Sequence, residues 1–336
     1  MRWFGWGRER LSPSQRRRGL PFQKYRHAVA RRRRFYWKLA ILGLLAAIFL
    51  GFPSLRLALV SRIAERVPVS YEVGLGEDAY ASLARNAHLV EDAGLEANLA
   101  CITRELLKGL PEEDRRFEFR FHILEDSGVN ACALPGGHVF VNSGLLLEAR
   151  SNEEIAGVLA HEIAHVTRRH ALCGMIEREG TAALLMAFFG RYNDEAELLA
   201  RLGSQYLLAL KFSRDHEREA DETGWAYLER ARIDPRGLRD FFKRLSARDK
   251  AHVDAGSALA TGALSLLSTH PAPPDRVAYL DAKWRASERH DGFTALDVNL
   301  PEFQARLRAA LGLAAPEPAP AESLDFSPLR PEEPAR

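Results

Sequence analysis

Two histidines and a glutamate near the middle of the chain have the spacing needed to bind a metal ion and use it. His161 and His165 are four residues apart, so on a helix their imidazoles lie one above the other and can share an ion. Glu162 directly follows His161 and can reach a water molecule on that ion. This H-E-x-x-H pattern is typical of zinc proteases, in which the glutamate is the general base.

A catalytic zinc ion needs a third protein ligand and an open position for water. Position 11 of the motif is Ala171, not histidine, and His170, one place short, is predicted to point away as a surface or supporting residue. Glu217 and Asp221, again four apart, are better candidates. Glu217 can be the ligand, and Asp221 can accept the free N–H of a ligating histidine. Taken alone, this pair is also typical of an ordinary acidic helix face, and Glu219 between them is predicted to be solvated.

Four stretches of the chain, in their order and spacing, resemble the HtpX-like and Oma-like zinc metallopeptidases, which are gluzincins of metallopeptidase family forty-eight. They span about residues 115–280. The family usually has an aromatic or larger apolar residue at Cys132, a departure that is not expected to touch the metal site. The stretches are NACALPGGHVFVNSGLL (130–146), HEIAHVTRRH (161–170), SRDHEREADETG (213–224) and, more weakly, THPAPPDR (269–276).

The resemblance implies a Zn²⁺ site with a general base and a supporting carboxylate. The implied ligands are His161, His165 and Glu217, with Glu162 as the base and Asp221 as the support.

The resemblance also implies roles for His270 and Arg276. His270 would be a fourth ligand or a hydrogen-bond donor to the oxyanion, and Arg276 would stabilise that oxyanion. The alternative for these two is a histidine in a helix turn and a salt-bridged arginine. Residues 130–142 would be the strand and turn beside the active-site helix, where an extended peptide substrate can add to the sheet edge.

Hydrophobic periodicity predicts the elements that position these residues. Ser151 and Glu154 have the form of a capping box at the start of an amphipathic helix with HEIAH in its middle. The fold class is therefore α+β and mainly helical, a zincin-like domain with a small sheet beside that helix. Other helices are predicted at 78–110, 196–230 and, shorter, after Pro235; strands at 117–124 and 138–142; and a buried helix or membrane-dipping hairpin at 181–190.

The amino-terminal part differs sharply from the rest in charge. Residues 1–38 hold 13 lysines and arginines against one acidic residue, a net charge of about +12, whereas the remainder sums to about −10. Residues 39–55 form an uncharged, mainly apolar run after cations and aromatic rings that favour the membrane interface. We expect one transmembrane helix; a cleaved signal peptide and a buried soluble helix are the alternatives. Because the apolar run already explains the basic arm, no nucleic-acid partner is expected.

The predicted organisation is a cytoplasmic basic arm (1–38), a transmembrane anchor (39–55), a metallopeptidase domain on the periplasmic or other extracytoplasmic side (56–312) and a disordered Pro/Ala/Glu-rich tail (313–336). The three cysteines lack a CxxC spacing and are expected to be small buried thiols. Protein or peptide substrates are expected, and the resemblance implies quality control of membrane or envelope proteins. The alternative is a non-catalytic, membrane-anchored, zinc-binding adaptor or chaperone.

Overall fold

The computed structural model describes residues 36–37, 43, 53–177, 212–254, 266, 270 and 275–314. The chain divides into two compact units, residues 1–65 and 66–336. The described part is mainly helical with a small sheet, as predicted. The helices are α1 Pro53–Arg66, α2 Val69–Ala84, α3 Ala93–Leu107, α4 Ser143–Glu148, α5 Asn152–Thr167, α6 Arg214–Ala231, α7 Arg236–Asp254, α8 Arg276–Ala286 and α9 Leu300–Ala310.

The sheet has three strands, β1 Arg120–Leu124, β2 Ala131–Ala133 and β3 His138–Asn142, in the order β1-β3-β2. β1 runs parallel to β3, and β2 runs antiparallel to it. β3 is buried at every residue and confirms the strand predicted at 138–142. β1 starts at Arg120 rather than at Phe117. β2 was not predicted, because three residues are too few to show an alternating pattern.

Helix α5, which carries HEIAH, is buried around nearly its whole circumference. Ser151 caps it, since its hydroxyl accepts the backbone N–H of Glu154 at 3.3 Å. The other half of the predicted capping box is wrong: Glu154 accepts the backbone N–H of Arg150 at 2.7 Å and also pairs with Arg244. HEIAH lies in the second half of the helix rather than in its middle. The core stripe on this helix has no exposed surface and consists of Ile155, Val158, Leu159 and Ile163.

The single helix predicted at 78–110 is two helices in the structure. α2 already begins at Val69 and ends at Ala84, and α3 begins after Asp92. The Asp92 carboxylate accepts the backbone N–H groups of Gly94 and Leu95 at 2.9 Å each, so this N-cap starts a new helix.

Two later helices also differ from their predicted bounds. The helix expected from residue 196 begins at Arg214, because the Ser213 hydroxyl accepts the backbone N–H of His216 at 3.2 Å and forms an N-cap. α7 has 19 residues and is longer than the short helices predicted after Pro235. It packs against α5, so a second long helix supports the motif helix.

Four predicted features lie wholly or mostly outside the described residues: the basic arm, the apolar run at 39–55, the apolar stretch at 181–190 and the tail from 313. Within the part of the chain that the structure describes, no helix is both long enough and apolar enough to cross a membrane.

Candidate metal centre

Four buried side chains from α5, α6 and the segment before α8 converge on one point; we call them the His-Glu cluster. α5 presents the Nε2 atoms of His161 and His165, 3.0 Å apart. α6 presents the carboxylate of Glu217. His270 brings its Nδ1 to 3.0 Å from Glu217 Oε1 and 3.3 Å from His161 Nε2. All four residues are 3% exposed or less. The structure therefore brings together the three predicted ligands and the predicted fourth one.

The spacing within the His-Glu cluster fits a tetrahedral metal ion. Zinc–nitrogen bonds are about 2.0–2.1 Å, so ligand atoms at the corners of a tetrahedron lie about 3.3 Å apart. The separations are 3.0 Å between His161 Nε2 and His165 Nε2, 3.3 Å between His161 Nε2 and His270 Nδ1, and 3.6 Å between His165 Nε2 and Glu217 Oε1; all four ligand atoms lie within 4.8 Å of one another. Glu217 Oε2 is buried without a hydrogen-bond partner among the described residues, and a cation would satisfy it.

Asp221 holds the nitrogen of His161 that faces away from the cluster. His161 Nδ1 lies 2.9 Å from Asp221 Oδ1, so an N–H at Nδ1 leaves the Nε2 lone pair free for a metal ion. The same carboxylate accepts hydrogen bonds from the Arg276 guanidinium and the Tyr279 hydroxyl. Sequence reasoning missed Tyr279. The sequence signal that could have identified Tyr279 is its position one helical turn after Arg276, on the same face of the helix.

His165 is held by a different pair of residues. Its Nδ1 lies 2.9 Å from His170 Nδ1, and His170 Nε2 lies 3.2 Å from Glu219 Oε2. His170 is 1% exposed, so the predicted surface location is wrong. The predicted supporting role is consistent with its contact with His165. The Glu219 side chain, predicted to be solvated, is 54% exposed but paired. The cause is Arg169, whose φ of +59° interrupts the helix and directs His170 back towards His165.

Burial and close partners set the charge states in the cluster. Burial alone would lower the pKa of His161, but the neighbouring Asp221 and Glu217 carboxylates raise it to about 9. Burial and neighbouring imidazoles hold the pKa of His165 well below its ordinary value. Burial would raise the pKa of Glu217, yet His270 and His161 outweigh it and keep the pKa low. Glu217 and His165 are thus ready to bind a metal ion, while His161 must release a proton to do so.

Glu162 lies beside the cluster. Its carboxyl group is buried, which raises its pKa, and the effect is partly offset by His270, His161 and the backbone N–H of Ala133. Glu162 Oε1 lies 3.5 Å from His270 Nε2 and has no hydrogen-bond partner among the described residues. A carboxyl group with a raised pKa and one free oxygen is suited to taking up a proton and passing it on.

Arg276 is enclosed by groups that hold it in place. Besides its hydrogen bond to Asp221, its guanidinium carbon lies 3.3 Å from the centroid of the Phe242 ring. Its Nη1 lies 3.8 Å from Glu217 Oε2. The cation is 2% exposed and balances two buried carboxylates, which would otherwise be costly to keep ionised.

Cys132 lies nearer to the site than the sequence suggested. It is on β2, opposite Phe140, and burial together with the Glu162 carboxylate raises the pKa of its thiol to about 12. The thiol is therefore protonated at neutral pH and is not a nucleophile. All three cysteines are free; Cys173 is buried, while Cys101 and Cys132 are only partly buried.

The amino-acid sequence matches a known peptidase family and several known proteases. The sequence profile of Peptidase family M48 matches residues 94–283, more than half of the chain and the whole His-Glu cluster. The chain is 31% identical over 221 residues to the putative beta-barrel assembly-enhancing protease of Vibrio cholerae, covering 63% of this chain and 43% of that protein. It is 27% identical over 229 residues to the beta-barrel assembly-enhancing protease of Escherichia coli, covering 66% and 45%.

A third relative comes from a eukaryote. The chain is 31% identical over 164 residues to the mitochondrial metalloendopeptidase OMA1 of Schizosaccharomyces pombe, covering 49% of this chain and 46% of that protein. The chain thus spans less than half the length of each of these three relatives.

Proposed function

Because the chain belongs to peptidase family M48, as its motifs predicted, we propose that it is a zinc-dependent endopeptidase that hydrolyses peptide bonds in protein substrates. The observation that carries this proposal is the His-Glu cluster with the Glu162 carboxylate beside it. A purely structural metal site has no use for such a carboxylate, whereas hydrolysis needs a proton acceptor at that place.

The proposed ligands of Zn²⁺ are His161, His165 and Glu217, with His270 as a fourth ligand in a closed state. Three imidazoles and a carboxylate are a donor set that zinc accepts, and their separations suit its tetrahedral geometry. When bound, zinc supplies an activated water molecule and polarises the carbonyl group that is attacked.

Glu162 is the proposed general base and general acid. Its free oxygen, Oε1, accepts a proton from the attacking water and later donates that proton to the nitrogen of the leaving amine. The pKa of Glu162, raised by burial, helps the carboxyl group keep the proton between these two events. No covalent bond between enzyme and substrate is required.

His270 has to give up its position during turnover, because a catalytic zinc site keeps one position open. Its Nδ1 faces the ligand atoms, and its Nε2 lies 3.5 Å from Glu162 Oε1, so one imidazole blocks both the fourth position and the base. We propose that an arriving substrate displaces His270 from this position.

Arg276 is proposed to position Asp221 and, through it, His161. Its guanidinium is held by the Asp221 carboxylate and by the face of the Phe242 ring. Asp221 engages Nη2, while Nη1 lies 3.8 Å from Glu217 Oε2 and has no hydrogen-bond partner among the described residues. The geometry therefore supports a positioning role for Arg276 and leaves Nη1 available to stabilise an oxyanion, the role that the resemblance implies.

Strand β2 supports a mode of substrate binding. It forms an edge of the sheet beside α5, and the backbone N–H of its last residue, Ala133, lies close enough to the Glu162 carboxyl group to lower its pKa. An extended peptide that pairs with this edge through main-chain hydrogen bonds would run close to the base, with little selection of side chains.

The names of the relatives support a substrate class. Two are called beta-barrel assembly-enhancing proteases, and one is a mitochondrial metalloendopeptidase. We propose that this chain acts in the quality control of membrane or envelope proteins. The proposed arrangement is a single span at 39–55, the basic arm in the cytoplasm and the peptidase domain on the periplasmic or other extracytoplasmic side.

A membrane-anchored zinc-binding adaptor is the second candidate, and the closed geometry of His270 favours it. A cleavage assay separates the two. The full chain, loaded with zinc, is incubated with an unfolded protein substrate with and without a chelator, and products are identified by mass spectrometry. We expect internal cleavage that stops with the chelator and returns when Zn²⁺ is added back. Binding of the substrate without cleavage under all three conditions would overturn the peptidase in favour of the adaptor.

A further inference from the structure

A chain of polar contacts leads from the His-Glu cluster towards the surface and is separate from the Asp221 network. It consists of His165, His170 and Glu219. His165 Nδ1 lies 2.9 Å from His170 Nδ1, and His170 Nε2 lies 3.2 Å from Glu219 Oε2. Both histidines are buried, while the glutamate side chain is 54% exposed.

The chemistry of these contacts allows one arrangement of hydrogens that suits metal binding. If His165 uses the lone pair of Nε2 for the metal ion, its hydrogen is on Nδ1 and must be donated to His170 Nδ1. His170 Nδ1 must then carry a lone pair, so the His170 hydrogen is on Nε2. That hydrogen points at Glu219, a carboxylate that can only accept when ionised.

The surroundings hold this arrangement rigidly. The left-handed backbone at Arg169 places His170 against His165, although the two residues are five apart. The ring of His216 stacks on His170, with centroids 4.5 Å apart and planes at 20°. The ring of Phe212 stacks on His165 at 4.0 Å. Neither histidine ring can turn freely, so the pattern of hydrogens depends on the last acceptor, Glu219.

We infer that His170 and Glu219 are positioning residues that fix the tautomer and orientation of His165 and thereby set the affinity of the metal site. This inference rests on the proposed metal site. It assigns to His165, the second histidine of that site, a separate supporting pair, His170 and Glu219. His161 is anchored directly by a carboxylate, whereas His165 is anchored through an intervening imidazole. Losing such an outer partner typically weakens metal binding by about 10- to 100-fold.

The affinity of the full chain for Zn²⁺, measured by competition with a chromophoric chelator, tests the inference. His170→Ala and Glu219→Ala should each weaken binding by about 10- to 100-fold. Glu222→Ala is the matched control, since it removes the same side chain from an exposed position on α6 and should leave the affinity unchanged. Because Glu219 is half-exposed, its substitution is compatible with folding even if His170→Ala is not.

Two further variants distinguish positioning from a general structural effect. His170→Asn places an amide oxygen near the former Nδ1 and should recover most of the affinity lost in His170→Ala. Glu219→Ala should have no further effect in the His170→Ala background, since the link between the two is already broken. Additive losses in this double variant, or no rescue by Asn, would overturn the inference.

The outcome also separates this inference from the proposed function. If the wild type binds one zinc ion that His165→Ala abolishes, while His170→Ala and Glu219→Ala bind as tightly as the wild type, the inference is wrong and the metal site stands. If the wild type binds no zinc and His165→Ala changes nothing, the proposed function fails and the inference fails with it.

Discussion

At the scale of single residues, each histidine of the His-Glu cluster is distinguished by its second ring nitrogen. Nδ1 of His161 contacts the Asp221 carboxylate, and Nδ1 of His165 contacts His170. The orientation of both imidazoles is therefore fixed by a neighbouring side chain. The second nitrogen of His270, Nε2, lies 3.5 Å from Oε1 of the proposed base Glu162 without forming a hydrogen bond to it. His270 is therefore the most weakly anchored of the three and the one suited to leave.

The first prediction concerns this difference in anchoring. His270→Ala should keep one zinc ion per chain after dialysis and should cleave an unfolded substrate faster than the wild type, because the fourth position is open. Glu217→Ala, which removes a proposed primary ligand, should lose zinc. Metal analysis of both variants and initial rates for His270→Ala give the answer. Equal loss of zinc in the two variants would make His270 an essential ligand and contradict the proposed gate.

At the scale of elements, α5 packs against both α6 and α7, and its contact with α7 depends on Gly157. A Cβ atom added at Gly157 would lie 2.5 Å from the backbone nitrogen of Leu238. Such a distance is too short for any side chain, so the two helices would have to move apart. Helix α5, which carries His161 and His165, would then shift relative to α7, whose Phe242 packs against His161.

The second prediction tests this contact. Gly157→Ala should lower the free energy of unfolding by about 1–3 kcal/mol through overpacking. Gly74→Ala is the control, since Gly74 lies inside α2 with open space around its Cβ position. There alanine should raise the free energy of unfolding by about 0.5–1 kcal/mol. Urea unfolding curves measure both. Stabilisation by Gly157→Ala would show that the close contact does not constrain the helices.

Elements with a strong pattern were predicted from the sequence. The apolar stripe and Ser151 cap of α5, the strand at 138–142 and the Glu217/Asp221 pair are all local signals, and the structure contains them. The break after Ala84 was missed because the local cap at Asp92 overrides a continuous apolar pattern.

The position of His170 was missed for a different reason. Helical spacing assumes a constant rotation per residue, and a single left-handed residue, Arg169, resets that rotation. The carboxylate of Glu72, on α2, holds Arg169 at 2.6 Å. A contact between residues 97 positions apart leaves no local trace in the sequence, so neither the turn nor its consequence for His170 could be foreseen.

At the scale of the whole molecule, charge is distributed unevenly along the chain. Residues 1–38 carry about +12, and the rest carries about −10, with an apolar run at 39–55 between them. Cations on one side of an apolar segment favour retention of that side in the cytoplasm. The proposed metal centre would then work on the opposite face of the membrane.

The third prediction follows from this polarity. After carbonate extraction the chain should stay with the membrane fraction, and removal of residues 39–55 should release it. In sealed vesicles with the extracytoplasmic face outward, added protease should digest the body and spare the basic arm. Antibodies against tags at the two ends read out both fragments. Release of the intact chain by carbonate, or protection of the body in these vesicles, would contradict the proposed topology.

In the proposed mechanism the Glu162 carboxylate performs proton transfer beside a zinc ion held by His161, His165 and Glu217. Glu162→Gln tests this role, since the amide keeps the shape of the side chain and cannot accept the proton. Cleavage of an unfolded protein and zinc content are measured on the same preparation. We predict one zinc ion per chain, as in the wild type, and a fall in cleavage rate of at least about 100-fold. Wild-type cleavage by the zinc-loaded variant would contradict this role.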